Sequence, residues 1–276
     1  GYIQTFDIGT SDNTGPAITF NSLNYDNNKL TVGLNEKAYD ANSGSGDLEV
    51  GDFALSITNG VATIGSATPT SISRVGDHQY VLGFSLSGTP NGSEQLAVVP
   101  IANSIFDING TASSTSQSNN TVNLFEKVLP TISSTALAAD NSTITATFSE
   151  SVFKSRSASG TGFAGNGDLE TSDFALSMSG GVATLGSATP TSISKSSNAY
   201  TLGINYIGLP NGSEVITVIP AQDAIYDNTG NMASTTQSNN TKTFNSEKIR
   251  IAKSLEFETG YAQFLSLLKR DADTYI

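Results

Sequence analysis

The feature that most constrains the fold is an internal repeat. The stretches 46–73 and 167–194 align without a gap and differ at only six of 28 positions. Flanking segments align at offsets of 114 to 121 residues, so each unit is close to the common size of a domain and far longer than a solenoid or propeller repeat. The chain is therefore two related units in a row. The six differing pairs are Val50/Thr171, Gly51/Ser172, Ile57/Met178, Thr58/Ser179, Asn59/Gly180 and Ile64/Leu185.

The repeat divides the sequence into four predicted segments. Residues 1–13 are an N-terminal strand or linker, 14–126 a first domain, 127–247 a second domain and 248–276 a tail. Within 1–13, the run from Tyr2 to Ile8 alternates like a strand and occupies the place of a final strand from a preceding unit. It either pairs with a neighbouring copy, folds back on its own domain, or is the stub of a longer protein.

Each unit reads as a series of short strands. Apolar residues alternate with polar ones in runs bounded by turn residues about every 8 to 12 positions, which is typical of a β-sandwich of about seven strands. Asn59-Gly60, with Gly180-Gly181 at the matching place, predicts a hairpin between the runs on either side. The predicted fold class is all-β, with two tandem immunoglobulin-like (Ig-like) sandwiches and a short C-terminal helix.

The C-terminal helix is predicted from apolar spacing. Phe257, Tyr261, Phe264, Leu265 and Leu268 recur at helical intervals. The prediction is one amphipathic helix at about residues 260–271. Its apolar stripe either packs on its own domain or docks on a partner.

Composition excludes several classes of function. The chain has no Cys, no Trp and a single His, His78, which the second unit does not repeat, so a catalytic triad or histidine-rich zinc site is not expected. The net charge of −12 disfavours nucleic acid and anionic membrane surfaces. No apolar run is long enough to span a membrane, so membrane insertion is not expected. The start at Gly1, without Met, is interpreted as a mature or excised piece of a secreted, extracellular protein.

Acidic residues that recur in both units are the candidate metal ligands. They stand out because charged residues are only 14% of the chain. In an Ig-like sandwich the end of the second strand, the next loop and the last turn can converge at one pole, and loop oxygens suit Ca²⁺. The alternative is that these Asp residues cap turns by accepting backbone N–H groups. The candidates are Glu36, Asp47, Glu49, Asp52 and Asp107 in unit one and Glu150, Asp168, Glu170, Asp173 and Asp227 in unit two.

Several of these residues carry a family resemblance. Phe148-Ser149-Glu150, followed by an Asp-Phe pair and by the run Asp227-Asn228-Thr229-Gly230-Asn231, resembles the tandem bacterial Ig-like repeats of large secreted surface proteins and adhesins, as in marine Bacteroidetes. The resemblance covers about residues 16–247 and does not reach the tail. Unit one departs from it at Thr111, where the matching residue of unit two is Asn231.

The resemblance implies a non-enzymatic, extracellular structural or adhesive protein, an Ig-like stalk or filament segment. The recurring acids add calcium as a candidate stiffening ion, in competition with their turn-capping role. The expected partners of the protein are other copies of itself or neighbouring Ig-like domains, with a surface glycan as a further candidate. Two alternatives stay open. One is a carbohydrate-binding module, which needs a flat aromatic platform. The other is an accessory region of a secreted hydrolase whose catalytic domain lies elsewhere.

Overall fold

The structure is a computed structural model that describes residues 13–254, 257–258, 261–262 and 265–271. All regular structure there is β, apart from two single 3-10 turns, which confirms the predicted all-β class of the two units. The chain divides into two compact units between Val128 and Leu129, except that residues 160–162 group with the first unit. The predicted strand from Tyr2 to Ile8 lies outside the described residues.

Unit one contains nine strands, all paired antiparallel. One sheet has the order β1-β2-β6-β5, a second has β3-β8-β9, and β4 pairs with β7. The strands are β1 (Ile18–Leu23), β2 (Lys29–Leu34), β3 (Phe53–Thr58), β4 (Thr63–Ile64), β5 (Ser71–Arg74), β6 (Gln79–Gly83), β7 (Leu86–Ser87), β8 (Gln95–Pro100) and β9 (Thr121–Asn123).

Unit two repeats this arrangement. Its sheets have the orders β10-β11-β17-β16 and β14-β19-β20, β15 pairs with β18, and β12 pairs with β13. The strands are β10 (Ile132–Leu137), β11 (Thr143–Phe148), β12 (Ser155–Ser159), β13 (Gly162–Asn166), β14 (Phe174–Ser179), β15 (Thr184–Leu185), β16 (Ile193–Ser196), β17 (Ala199–Gly203), β18 (Tyr206–Ile207), β19 (Val215–Pro220) and β20 (Thr241–Thr243).

Each unit has its own hydrophobic core between its two larger sheets. The alternation seen in the sequence becomes an inward face: Leu96 and Val98 of β8 are fully buried, and so are Leu82 of β6 and Val32 of β2. Burying one such side chain stabilises the fold by about 1.5–3 kcal/mol. Since neither core needs residues of the other unit, both sandwiches are supported by local packing.

The predicted Asn59-Gly60 hairpin is only half right. The turn forms, with positive φ at both residues, but the strands beside it do not pair with each other. β3 pairs with β8, and β4 pairs with β7. The reason is chemical, because the amides that follow the turn donate to the carboxylate of Glu94 instead of to β3.

The C-terminal helix prediction is contradicted where the structure describes the tail. Two tail strands, β21 (Lys248–Ser254) and β24 (Leu265–Asp271), pair antiparallel, and β22 (Phe257–Glu258) pairs with β23 (Tyr261–Ala262) between them. An isolated helix of about 12 residues is marginal in water, whereas pairing satisfies the backbone of both segments. Phe264, part of the predicted apolar stripe, lies outside the described residues.

Candidate functional site

The first and last segments of each unit run side by side in the same direction. In unit one, Ile18 N–H donates to Gln117 Oε1 at 2.8 Å, and Asn21 Nδ2 donates to the Asn119 carbonyl at 2.9 Å. These two segments belong to different sheets, so side chains bridge them where a backbone ladder is absent. The positions of the partners rise together along both segments, which makes the segments parallel.

The third bridge is a two-way hydrogen bond at the end of the pair. Asn27 Nδ2 donates to the Phe125 carbonyl at 2.7 Å, and Phe125 N–H donates back to Asn27 Oδ1 at 2.9 Å. Asn27 has φ +55°, a conformation that Asn tolerates better than most residues, and its side chain is buried. The three bridges together are called the terminal clamp of unit one.

Unit two builds the same clamp. Thr135 stands where unit one has Asn21, and its Oγ1 donates to the same two carbonyl positions, although the side chain is different. The buried Asn141, with φ +59°, repeats the two-way bond of Asn27. The bridges are Ile132 to Gln237, Thr135 to Asn239 and Thr241, and Asn141 to Asn245 in both directions.

A second feature, the glutamate clasp, lies where the chain leaves unit one. Glu94 is fully buried, and its Oε1 accepts Val61 N–H at 2.8 Å and Ala62 N–H at 3.0 Å. Its Oε2 accepts the N–H groups of Asn91 and Gly92, each at 3.0 Å. One carboxylate therefore holds two loops that are about thirty residues apart in sequence.

The hydrogen bonds of the clasp outweigh the cost of burying its charge. Burial alone raises the pKa of Glu94, but the backbone N–H donors lower that pKa to about 2. Glu214 makes the corresponding bonds in unit two, and its pKa is also lowered to about 2. Beside the clasp, the Pro90 carbonyl accepts Lys127 N–H at 2.8 Å, so the departing chain is held at this pole.

The predicted calcium ligands occupy several different positions. Asp107 is fully buried, and its Oδ1 accepts the N–H groups of Asn109 and Thr111. Asp227 accepts the equivalent N–H groups of Thr229 and Asn231. Both residues therefore cap the last turn before the final strand.

Asp52 and Asp173 cap the short 3-10 turns that precede β3 and β14. Asp52 Oδ2 accepts Glu49 N–H at 2.6 Å, and Asp173 makes the same bond to Glu170 N–H at 2.7 Å. Desolvation by burial raises the pKa of each carboxyl, and the charge of the neighbouring Glu adds to the rise. These carboxylates are engaged with backbone, as the alternative interpretation proposed.

The remaining candidates are more exposed. Asp47 lies 3.9 Å from Arg74 in unit one, Asp168 lies 3.6 Å from Lys195 in unit two, and the Glu170 carboxylate pairs with Lys154 at 2.7 Å. Glu36 and Glu150 are half-buried just after β2 and β11. Within the described ranges, no three of the His, Asp and Glu side chains are arranged to hold a metal ion. The calcium site stays a prediction from the sequence.

The residues that sequence reasoning missed are those of the clamp and the clasp. The signal for the clasp was present, because Pro-Asn-Gly-Ser-Glu occurs at 90–94 and again at 210–214. Asn27 and Asn141 also recur, each in the turn between the first two strands of its unit.

Two further surface properties bear on function. Across residues 13–247, Phe20, with 41% of its surface exposed, is the most exposed aromatic residue. No helix within the described residues has the length and apolar character needed to cross a membrane.

Comparison with known proteins finds a weak structural similarity and no matching family. No protein-family model matches the chain, and no curated protein matches it. One solved structure that it resembles is the crystal structure of the N-terminal part of the bacterial S-layer protein SbsC, with 13% identity over 79% of this chain and a TM-score of 0.29. The match spans 44% of that chain's length. At this level of similarity, function has to be inferred from the chain's own geometry.

Proposed function

We propose that this chain is a force-bearing structural segment of an extracellular bacterial surface protein, made of Ig-like units, without enzymatic activity of its own. The observation that supports the proposal is the terminal clamp, which recurs in both units with different side chains at one position. The chain enters each unit at one pole and leaves it at the other, because the clamped segments are parallel.

Parallel terminal segments resist pulling for a geometric reason. Tension applied to the two ends of a unit draws the clamped segments along each other, so all three bridges are loaded together. In an antiparallel arrangement of the ends, bridges would open one after another. Each bond contributes only about 0.5–1.5 kcal/mol net at equilibrium, but loading them jointly raises the barrier that governs forced unfolding.

The surface and the partners of the segment fit this role. A charge of −12 and a high content of Ser, Thr, Asn and Gly keep such a chain soluble outside the cell. Its proposed partners are neighbouring units of the same kind or further copies of the chain. Calcium bound by the predicted acids is proposed as a further stiffening element.

Single-molecule force spectroscopy tests the proposal. The whole chain is pulled by its two ends, and the double variant Asn27→Gly with Asn141→Gly is compared with the wild type. Glycine keeps the positive φ that both positions require but removes the two-way bond. Both unfolding events should occur at clearly lower force, because the clamp has lost its best-buried bridge.

The matched control is Asn103→Gly. Asn103 also has φ +57° and is exposed, but it is not part of either clamp. The unfolding force should be unchanged in this variant. If the clamp variant unfolds at the wild-type force while its equilibrium stability has fallen, the bridges do not carry tension and the proposed role is wrong.

A further inference from the structure

Five Asn-Gly steps occur in the chain, and they differ in how firmly the fold holds them. An Asn followed by Gly is the sequence most prone to spontaneous loss of the side-chain amide, because Gly leaves its backbone nitrogen sterically open. The reaction requires the Gly nitrogen to reach the Asn Cγ, so hydrogen bonds at either group slow it. The five steps begin at Asn59, Asn91, Asn109, Asn166 and Asn211.

Two of these steps are fixed by the glutamate clasp. Gly92 N–H donates to Glu94 Oε2 at 3.0 Å, and Asn91 Oδ1 accepts Ser93 N–H at 3.1 Å. The step at Asn211 is held by the equivalent bonds, with Gly212 N–H on Glu214 Oε2 at 3.0 Å. Attack in either place requires breaking a bond to a buried carboxylate.

Two others are held by the backbone around them. Gly110 N–H donates to the Asp107 carbonyl at 3.2 Å inside the capped turn. Asn166 is the last residue of β13, where its carbonyl accepts Ser155 Oγ at 2.9 Å and the Gly167 carbonyl accepts Lys154 N–H at 3.2 Å. These bonds hold the backbone of the hairpin but do not engage the Asn166 side chain or Gly167 N–H, so the Asn166 step is protected only by its place at the end of a paired strand.

The step at Asn59 is different. Asn59 and Gly60 form the exposed tip of the turn after β3, with φ values of +62° and +64°. Within the described part of the chain, neither the Asn59 side chain nor Gly60 N–H takes part in a hydrogen bond. Unit two has Gly180-Gly181 at this place and so lacks the reactive amide.

We propose that Asn59 is a site of spontaneous deamidation in the folded protein, selective over the steps at Asn91, Asn109 and Asn211, where the Gly N–H is hydrogen-bonded. The Gly60 nitrogen attacks Asn59 Cγ and an N–Cγ bond forms. The Cγ–Nδ2 bond breaks, and the amide nitrogen leaves as ammonia with the proton from Gly60. Water then adds to one carbonyl of the cyclic imide and breaks its C–N bond, which leaves either aspartate or isoaspartate.

The product acts directly on the clasp. The next two N–H groups in the chain, those of Val61 and Ala62, are the ones that Glu94 Oε1 accepts. The turn lies against that carboxyl group, since a Cβ on Gly60 would be 2.3 Å from Glu94 Cδ. A new carboxylate at residue 59 repels Glu94, and isoaspartate also lengthens the backbone of the turn. Unit one is therefore weakened with age, and unit two is not.

The test is ageing of the intact chain in mildly alkaline buffer, followed by peptide mapping by mass spectrometry. A parallel sample in urea gives the rate at each step without the fold. Asn59 should convert at a similar rate in both samples, whereas Asn91 and Asn211 should be slowed roughly tenfold or more in the folded chain, as expected for losing one or two hydrogen bonds on the way to reaction.

The loss of stability in unit one is measured separately, by thermal unfolding of fresh and aged protein. The melting midpoint of unit one should fall with age in the wild type and stay constant in Asn59→Gly, which copies unit two, while Asn59→Asp should resemble the aged protein. If folding protects Asn59 as strongly as Asn91 and Asn211, the site is not selective and the proposal is wrong. Conversion without a change in the midpoint would overturn the effect on the clasp.

Discussion

Asn231 Nδ2 donates to Asp227 Oδ2 at 2.8 Å, so both oxygens of the buried Asp227 are satisfied. In unit one, Thr111 replaces this Asn, and Asp107 Oδ2 is buried with no hydrogen-bond partner. The replacement of Asn by Thr111 in unit one thus leaves one buried carboxylate oxygen unsatisfied, at a cost typical of a lost hydrogen bond.

Thr111→Asn should stabilise unit one by about 1 kcal/mol, because the new amide can donate to Asp107 Oδ2 as Asn231 does to Asp227. The measurement is urea unfolding followed by a signal specific to unit one. The reverse variant, Asn231→Thr, is the matched control and should destabilise unit two by a similar amount. A loss of stability in Thr111→Asn would show that the two turns are not equivalent.

Glu94→Gln should destabilise unit one by roughly 2–4 kcal/mol, since the amide offers one acceptor oxygen and turns a donor toward backbone N–H groups. Glu214→Gln should do the same to unit two. Denaturant unfolding of each variant gives the values. Asp26→Asn removes an exposed carboxylate and should change stability by less than about 0.5 kcal/mol; equal effects of Asp26→Asn and Glu94→Gln would contradict the clasp.

The clasp also fixes the direction of the pH dependence. The pKa of Glu94 falls from 4.5 to about 2 on folding, so below 4.5 the unfolded chain binds more protons at this residue. Its contribution is complete above pH 4.5 and is lost as the pH falls toward 2. Burial raises the pKa of Asp52, so the contribution of Asp52 to the free energy of unfolding falls as the pH rises, opposite to that of Glu94.

Urea unfolding at a series of pH values checks this expectation. The free energy of unfolding of the wild type should fall between pH 4.5 and 2, the two pKa values of Glu94. The fall should be shallower in Glu94→Gln, which cannot titrate. A variant with the full acid dependence of the wild type would show that another group is responsible.

The two units should fold independently. Each has a closed set of sheets and its own core, so residues 14–126 and 127–247, produced separately, should each give dispersed amide NMR spectra and a cooperative melting transition. An excised unit that is unfolded, while the intact chain is folded, would mean that one sandwich depends on the other.

Calcium binding by the recurring acids should be visible in thermal unfolding. Ca²⁺ that binds the folded state alone should raise the melting midpoint by mass action. Melting curves in millimolar Ca²⁺ and in EDTA measure the shift, and Glu150→Ala or Asp173→Ala should abolish it for unit two. Because Asp173→Ala also removes a cap, the readout is the difference between the two buffers. Identical wild-type curves would rule the site out.

Much of the sandwich could be predicted from the sequence because its strands obey a local rule. Alternation from Leu96 to Val99 and the proline at position 100 predict a strand that ends where β8 ends and begins one residue later than β8 (Gln95–Pro100) does. The helix prediction for the tail was wrong because it used only local spacing. Apolar residues at helical spacing are also compatible with strands when a partner segment is present. The pairing of 248–254 with 265–271 decided the outcome.

The clamp and the clasp could not be predicted in this way. Glu94 was one acid among 25, and its role depends on N–H groups that lie 33 residues away. Asn27 bonds to a residue 98 positions distant. Long-range partners of polar side chains leave no periodic trace in a sequence, and only a repeated motif, such as that ending at Glu94 and Glu214, could have pointed to them.

The hairpin of β12 and β13 fills a loop seven residues longer than its counterpart in unit one. No residue of that loop belongs to the terminal clamp, and Arg156 within it packs on Phe163 of the same hairpin and bonds the Gly230 carbonyl. If the clamp bears tension as proposed, natural selection can lengthen, shorten or rewrite this loop without altering any bridge of the clamp. What such a unit displays and how it holds its two ends together can then evolve separately.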